Sequence, residues 1–340
     1  MNRAVRRART PLTVASVAVA VSLTLTGCAT QGSGDAGDSG VSIVATTTQV
    51  ADFTRELVGD TAEVTQLVQP DQSAHAFDPS AKQLLALSQA DALVVNGAGL
   101  ESWLDDTIAA SGFDGELIVA SDGIELAGEA HDHADGAAAG DESPAADDHE
   151  SGDPHVWTDP ANAMTMVQNI AIGLEGVDGV DAEVVSSNET AYLGRLEALD
   201  AWIRENIDAV PADERLLVSN HDAFTYFTAA YGITFVGSII PSFDDNAEPS
   251  AAEIDALVSA IRETGVKAVF SEASLSPRAA ETIAKEAGVA VYSGDDALYA
   301  DSLGPAGSDG ATYLGSQVHN VRRILESWGA TPTELPATLQ

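Results

Sequence analysis

Cysteine is all but missing: Cys28 is the only one in 340 residues, so no disulfide can form within the chain. Basic side chains are scarce as well. Lysine and arginine number 15 against 53 aspartates and glutamates, a formal charge of -38, and four of the arginines (Arg3, Arg6, Arg7, Arg9) stand in the first ten residues. Without them the chain carries 11 basic and 53 acidic residues, a charge of -42. Such a chain is repelled by phosphate backbones, which excludes nucleic acid as a partner. The same field concentrates divalent cations near the surface, although acidity also serves solubility alone. Histidine is sparse, with seven in total. The N-terminal apolar run over residues 12–25 falls short of the roughly 20 residues a helical membrane span needs.

That run has an informative setting. Arginines precede it without any acidic residue, and it closes on Leu25-Thr26-Gly27-Cys28, which resembles the bacterial lipobox. Residues 1–27 read as a lipoprotein signal peptide. Cys28 then becomes the lipid-bearing first residue of the mature chain, held at the extracytoplasmic face of the cell membrane. Residues 28–40 are rich in Gly, Ser and Asp and hold no bulky apolar side chain, the composition of a flexible tether.

Beyond the tether, short β-branched runs (42–46, 63–68, 92–95, 116–119) alternate with segments of helical apolar spacing. The alternation resumes later, with strands expected at 216–219, 233–236, 268–271 and 289–292 and helices at 254–261 and 279–287. Between the two sets, Tyr192, Leu196, Leu199, Ile203 and Ile207 recur at steps of four, three, four and four, ahead of Pro211. This specifies one long amphipathic helix. The expected fold is α/β: two lobes with parallel sheets, residues 41–180 and 211–340, joined by a linking helix at 181–210. Residues 129–153 differ, holding nine acidic residues, His131, His133 and His149, and no large apolar side chain. They read as an acidic, His-bearing loop on the first lobe, able to gather metal or simply to solubilise.

Three other histidines sit in polar, turn-rich or strand-end settings: Ser73-Ala74-His75-Ala76-Phe77-Asp78-Pro79, Asp153-Pro154-His155-Val156-Trp157-Thr158-Asp159-Pro160, and Ser219-Asn220-His221-Asp222-Ala223-Phe224. Together with Asn96-Gly97-Ala98-Gly99-Leu100-Glu101-Ser102-Trp103, Glu248-Pro249-Ser250 and Tyr299-Ala300-Asp301-Ser302-Leu303-Gly304, they make the chain resemble the substrate-binding proteins of zinc and manganese ABC importers over residues 41–325. The resemblance implies a metal site of His75, His155, His221 and Asp301 in the interlobe cleft, two ligands from each lobe. Three imidazoles and one carboxylate suit Zn²⁺, with Mn²⁺ or Fe²⁺ as the alternative cargo. Glu272, Asp295, Asp296 or a water are the other choices for the fourth ligand. Asp78, Asp153, Asp159 and Asp222 are candidate acceptors behind the imidazoles, and His319 is read as structural.

The partners so implied are a cognate permease and its ATPase, with a monomeric binding protein anchored through Cys28. An enzyme is not expected. A zinc hydrolase keeps a coordination position open, which Asp301 would fill, and no His-Glu-x-x-His pattern occurs. A surface adhesin is compatible with a lipoprotein but has no residue pattern behind it.

Overall fold

The computed structural model describes residues 40–128 and 152–340. Cys28 and the tether before residue 40, and His131, His133 and His149, lie outside the described residues. Among the described residues no helix is long and apolar enough to cross a membrane.

The first lobe is built on a parallel sheet in the order β2-β1-β3-β4, from strands Val41–Ala45, Ala62–Gln66, Ala92–Val95 and Glu116–Val119. Successive side chains leave a strand on opposite faces. Ile43, Ala45, Ala92, Val94 and Ile118 therefore join one core, and Val44, Leu93 and Val95 join another across the sheet. The crossovers carry helices α1 (Thr48–Val58), α2 (Ala81–Leu87) and α3 (Leu104–Ser111). Helix α4 (Pro160–Glu175) returns along β4.

That packing is tight at one point. A Cβ on Gly173 of α4 would stand 2.7 and 2.8 Å from Ile118 Cγ1 and Cγ2, and Ile118 is itself buried. Gly173→Val is expected to destabilise the protein by about 2 kcal/mol through overpacking. Urea denaturation measures it; an unchanged midpoint would mean that α4 and β4 have slack.

Helix α5 (Ala182–Asp208) fulfils the long-helix expectation: Asp181 caps it, accepting from Glu183 N and Val184 N. Tyr192, Leu196, Leu199, Ile203 and Ile207 all turn inward. At 27 residues it is about 40 Å long. It touches both lobes, since Asn188 Nδ2 donates to Leu57 O and Arg204 Nη1 to Ala230 O.

The second lobe holds parallel pairs β5-β6 (Leu216–His221, Thr234–Ile240) and β7-β8 (Ala268–Phe270, Ala290–Tyr292), with β5 lying against β7. Helices α6 (Thr225–Tyr231), α7 (Ala251–Thr264), α8 (Arg278–Ala287) and α9 (Tyr313–Trp328) accompany them. Strand β6 runs four residues beyond the expected end at 236. Helix α9 is the longest helix of this lobe, at 16 residues.

Candidate metal centre

Each of the four residues singled out in the sequence is held by a different device. His75 sits on the loop between β2 and α2, where its neighbour Ala74 accepts a 2.9 Å bond from Trp103 Nε1. Trp103 in turn packs on Phe77, with ring centroids 4.9 Å apart. Thus the His-x-Phe and Glu-x-Trp segments are two halves of one support.

His155 opens a 3-10 turn, Val156–Thr158. Its approach is fixed by Asn96 Nδ2, which donates to Pro154 O at 3.2 Å. Asn96 is clamped in turn: the buried Glu101 carboxylate accepts from Asn96 N, Gly97 N and Thr46 Oγ1 at 2.7, 3.0 and 2.6 Å. Gly97 has φ +80°, and a Cβ there would lie 2.5 Å from Val119 Cγ1 and 2.6 Å from Ser121 Oγ, so only glycine makes this turn.

His221 ends β5, at the carboxyl end of a parallel strand where ligands of α/β sheets collect. Asp301 lies beyond β8 on a segment gripped from the first lobe. Gln49 Nε2 and Trp157 Nε1 both donate to Ala300 O, at 3.0 and 3.1 Å, and Leu303 N donates to Thr48 Oγ1 at 2.8 Å.

One oxygen or nitrogen from each of His75, His155, His221 and Asp301 falls within 4.8 Å of the others. His155 Nε2 is 3.2 Å from His75 Nε2, 3.3 Å from His221 Nε2 and 3.1 Å from Asp301 Oδ1. Asp301 Oδ2 is 3.4 Å from His75 Nε2 and 3.3 Å from His221 Nε2. Four ligands bound at 2.0–2.1 Å to a tetrahedral zinc stand about 3.3 Å apart, so the donor set is the size of such a shell. Both Asp301 oxygens are buried and, among the described residues, face only the imidazoles of the cluster, as suits atoms kept for a cation.

Behind two imidazoles stand carboxylates. His155 Nδ1 is 2.6 Å from Asp153 Oδ1, and His221 Nδ1 is 2.7 Å from Glu272 Oε2. A carboxylate only accepts, so Nδ1 carries a proton and Nε2 is turned to the centre. Burial alone would lower the His155 pKa, but Asp301 and then Asp153 outweigh it and push it up to about 9. His221 behaves alike, raised well above its ordinary range against burial by Asp301 and Glu272. Conversely, burial opposes the charge on Asp301, yet His221 and His155 hold its carboxyl well below the usual range.

Of the candidate acceptors, only Asp153 holds a ring. Asp159 caps α4 through Ala161 N, Asp78 is exposed, and Asp222, near the centre, makes no hydrogen bond to an imidazole among the described residues. Glu272, an alternative fourth ligand in the sequence, instead positions His221 from behind. Asp295 is exposed and Asp296 pairs with Arg323. His319 points Nε2 at Ala297 O from 3.0 Å and packs edge-on to Tyr299, a structural setting. Asp153, the last residue of the acidic segment 129–153, does not share its loop character: it is fully buried, with Tyr226 OH donating to its carbonyl at 2.6 Å.

Asp153→Asn keeps the shape and removes the charge behind His155. It is expected to weaken metal binding roughly 10- to 100-fold. Chelator competition reads this out, and an unaltered Kd would show the Asp153 charge to be idle.

Residues 43–327 match the family described as zinc-uptake complex component A, periplasmic (ZnuA). The chain is 29% identical over 306 residues to the manganese-binding lipoprotein MntA of Halalkalibacterium halodurans, covering 90% of this chain and 94% of that one. It is 27% identical to the iron ABC transporter substrate-binding lipoprotein MtsA of Streptococcus pyogenes serotype M1, covering 89% and 93%. Its fold is that of the periplasmic zinc binding protein TroA from Treponema pallidum, with a TM-score of 0.73 at 23% identity over 84% of this chain and 98% of that one.

Proposed function

Since the chain belongs to the family of zinc-uptake complex component A proteins, we propose that it is the extracytoplasmic substrate-binding component of a metal ABC importer, that it captures Zn²⁺ at His75, His155, His221 and Asp301, and that it delivers the ion to the permease and its ATPase. It is a binding protein and not an enzyme. The observation that carries the zinc reading is the donor set: three imidazole nitrogens and a carboxylate, all within 4.8 Å and with five of the pairs at 3.1–3.4 Å, largely buried, two of the rings oriented by carboxylates. Anchoring at Cys28 is supported by the lipobox resemblance and by the lipoprotein names of MntA and MtsA. The His131, His133 and His149 segment would serve as a collector that raises the local zinc concentration.

A second reading is Mn²⁺ or Fe²⁺ cargo. It is favoured by the names of the two relatives and by Asp301, both of whose oxygens face the imidazoles and can add a fifth oxygen-rich contact. Affinity alone does not separate the readings, because nearly any such site binds Zn²⁺ more tightly than Mn²⁺ or Fe²⁺. The decisive measurement is cellular. Deleting the gene should lower cell-associated zinc under chelator stress, and the intact gene should restore it. A fall confined to manganese or iron would overturn the zinc assignment.

A further inference from the structure

Residues 241–249, between β6 and α7, lie over the centre without contributing to it. The Phe243 ring sits 6.5 Å from the His155 ring. Next to it, Asp245 reaches across to the first lobe: Ser73 Oγ donates to Asp245 Oδ1 over 2.8 Å, and the same hydroxyl accepts from His75 N at 3.2 Å. One side chain thereby connects the backbone of a ligand residue to a carboxylate of the opposite lobe.

Two further observations give that contact a role. Of the four site residues, His75 alone meets solvent, with a side chain 10% exposed where the other three are at 0%. It also stands on a loop, whereas His221 ends a strand. His75 is thus the ligand that can leave first. Asp245, for its part, is 6% exposed and only half satisfied. Its Oδ1 takes Ser73 and Asn246 Nδ2, while Oδ2 has no hydrogen-bond partner among the described residues. A buried carboxylate with a bare oxygen is costly unless positive charge is near. Burial and then Asp301 raise its pKa, and His75 and His221 lower it, so this carboxylate lies within the electrostatic reach of the site.

The geometry points to Ser73 and Asp245 as a positioning pair that latches His75 onto the ion and sets how fast the ion leaves; the inference rests on the reading of the four residues as the metal site. With a dication in place, Asp245 and Asp301 are both drawn to it, and the lobes are held together through Ser73. With the ion gone, the hydroxyl bond to Asp245 is one of several cross-lobe contacts, beside those to Ala300 and Leu303, and it is the one that fixes the backbone at His75. Asp245 itself touches no ion.

The test is zinc release from the mature lipoprotein into excess chromogenic chelator by stopped flow. Ser73→Ala and Asp245→Ala are expected to release Zn²⁺ roughly tenfold faster, as for the loss of one charge-assisted bond, while still binding one ion per chain. Ser73→Thr, which keeps the hydroxyl, should restore the parental rate, a rescue that a merely structural role of the loop would not show. Asp245→Asn keeps an acceptor for Ser73 and should fall between. Release within twofold of the parent in both alanine variants, at one ion per chain, overturns the latch and leaves the metal site standing. A parent chain that binds no Zn²⁺ overturns the proposed function instead. Should Asp245→Ala fail to fold, the Ser73 pair of variants decides alone.

Discussion

His155→Ala is expected to weaken zinc binding by at least about a hundredfold. Structural zinc sites bind with roughly 10–16 kcal/mol shared over four ligands, so one ligand accounts for about 3 kcal/mol, a little over two decades in Kd. His155 should exceed that share for a geometric reason. Its Nε2 lies within 3.3 Å of His75, His221 and Asp301 alike, and its side chain is fully buried. Removing it also strands the buried Asp153 carboxylate, whose Oδ1 accepts from both the His155 ring and its backbone N. An unpaired buried charge is among the costliest defects a site can carry. His75→Ala should cost less, because a water can reach the vacated corner from the solvent side. Competition against a chromophoric chelator measures both. A His155→Ala Kd within tenfold of the parent would mean that the cluster is not the binding site, and a larger loss for His75→Ala would overturn the ranking of the two ligands.

The parts of this molecule that were legible in the sequence are those where one periodicity dominates. Helix α5 was readable because five apolar residues keep helical steps with no competing signal and Asp181 and Pro211 bracket them. The inner strands of the first lobe, β1 and β3, were readable because both faces are buried, so each is a nearly continuous apolar run. Helix α4 was not read, although Asp159 and Pro160 open it with a cap and an N-terminal proline and Ala163, Met166, Val167, Ile170 and Leu174 line its buried face. Its first turn coincides with the Asp-Pro end of the His155 motif, so one short segment carries both the ligand pattern and the helix start. Helices α3 and α6, of eight and seven residues, are too short to show a period.

The four candidate site residues were legible from local motifs, and Asp153, two positions before His155, was legible as an acceptor behind it; the roles of Glu272 and Asp245 were not, since these are long-range. Glu272 lies 51 positions after His221, and Asp245 lies 172 after Ser73. No spacing rule connects them. What a sequence did offer was a polar residue in an apolar setting, Glu272 directly after the strand Ala268–Phe270 and its Ser271, which marked it as noteworthy but not as the residue behind His221.

The second large effect is expected in pH. The shifts place protons on two imidazoles of the empty site at neutral pH: His155, pushed up to about 9, and His221, raised well above its ordinary value, each by Asp301 and by the carboxylate behind it. An arriving ion must displace both. Binding should therefore weaken by up to about a hundredfold for each unit the pH falls below 8, a slope of two protons per ion. The signs for the empty protein follow from the same shifts. A histidine raised above its ordinary 6.5 contributes stability that is complete below 6.5 and is lost as pH rises through about 9. Asp301, lowered below 3.8, contributes stability that is present above 3.8 and is lost as pH falls through its folded value. The melting temperature of the metal-free chain should thus decline between pH 7 and 10. The zinc-loaded chain has given up those protons and should hold level over the same range. Calorimetric titration in two buffers of different ionisation heat counts the protons, and a slope below one would show that the imidazoles are not charged in the empty protein. The exchange has a mechanical consequence, because two protons leaving and one dication arriving keep the buried charge of the centre constant. Loading then costs little in desolvation, and what changes is geometry: two separate protons on two rings cannot draw His75, His155, His221 and Asp301 to a single point, whereas one ion does.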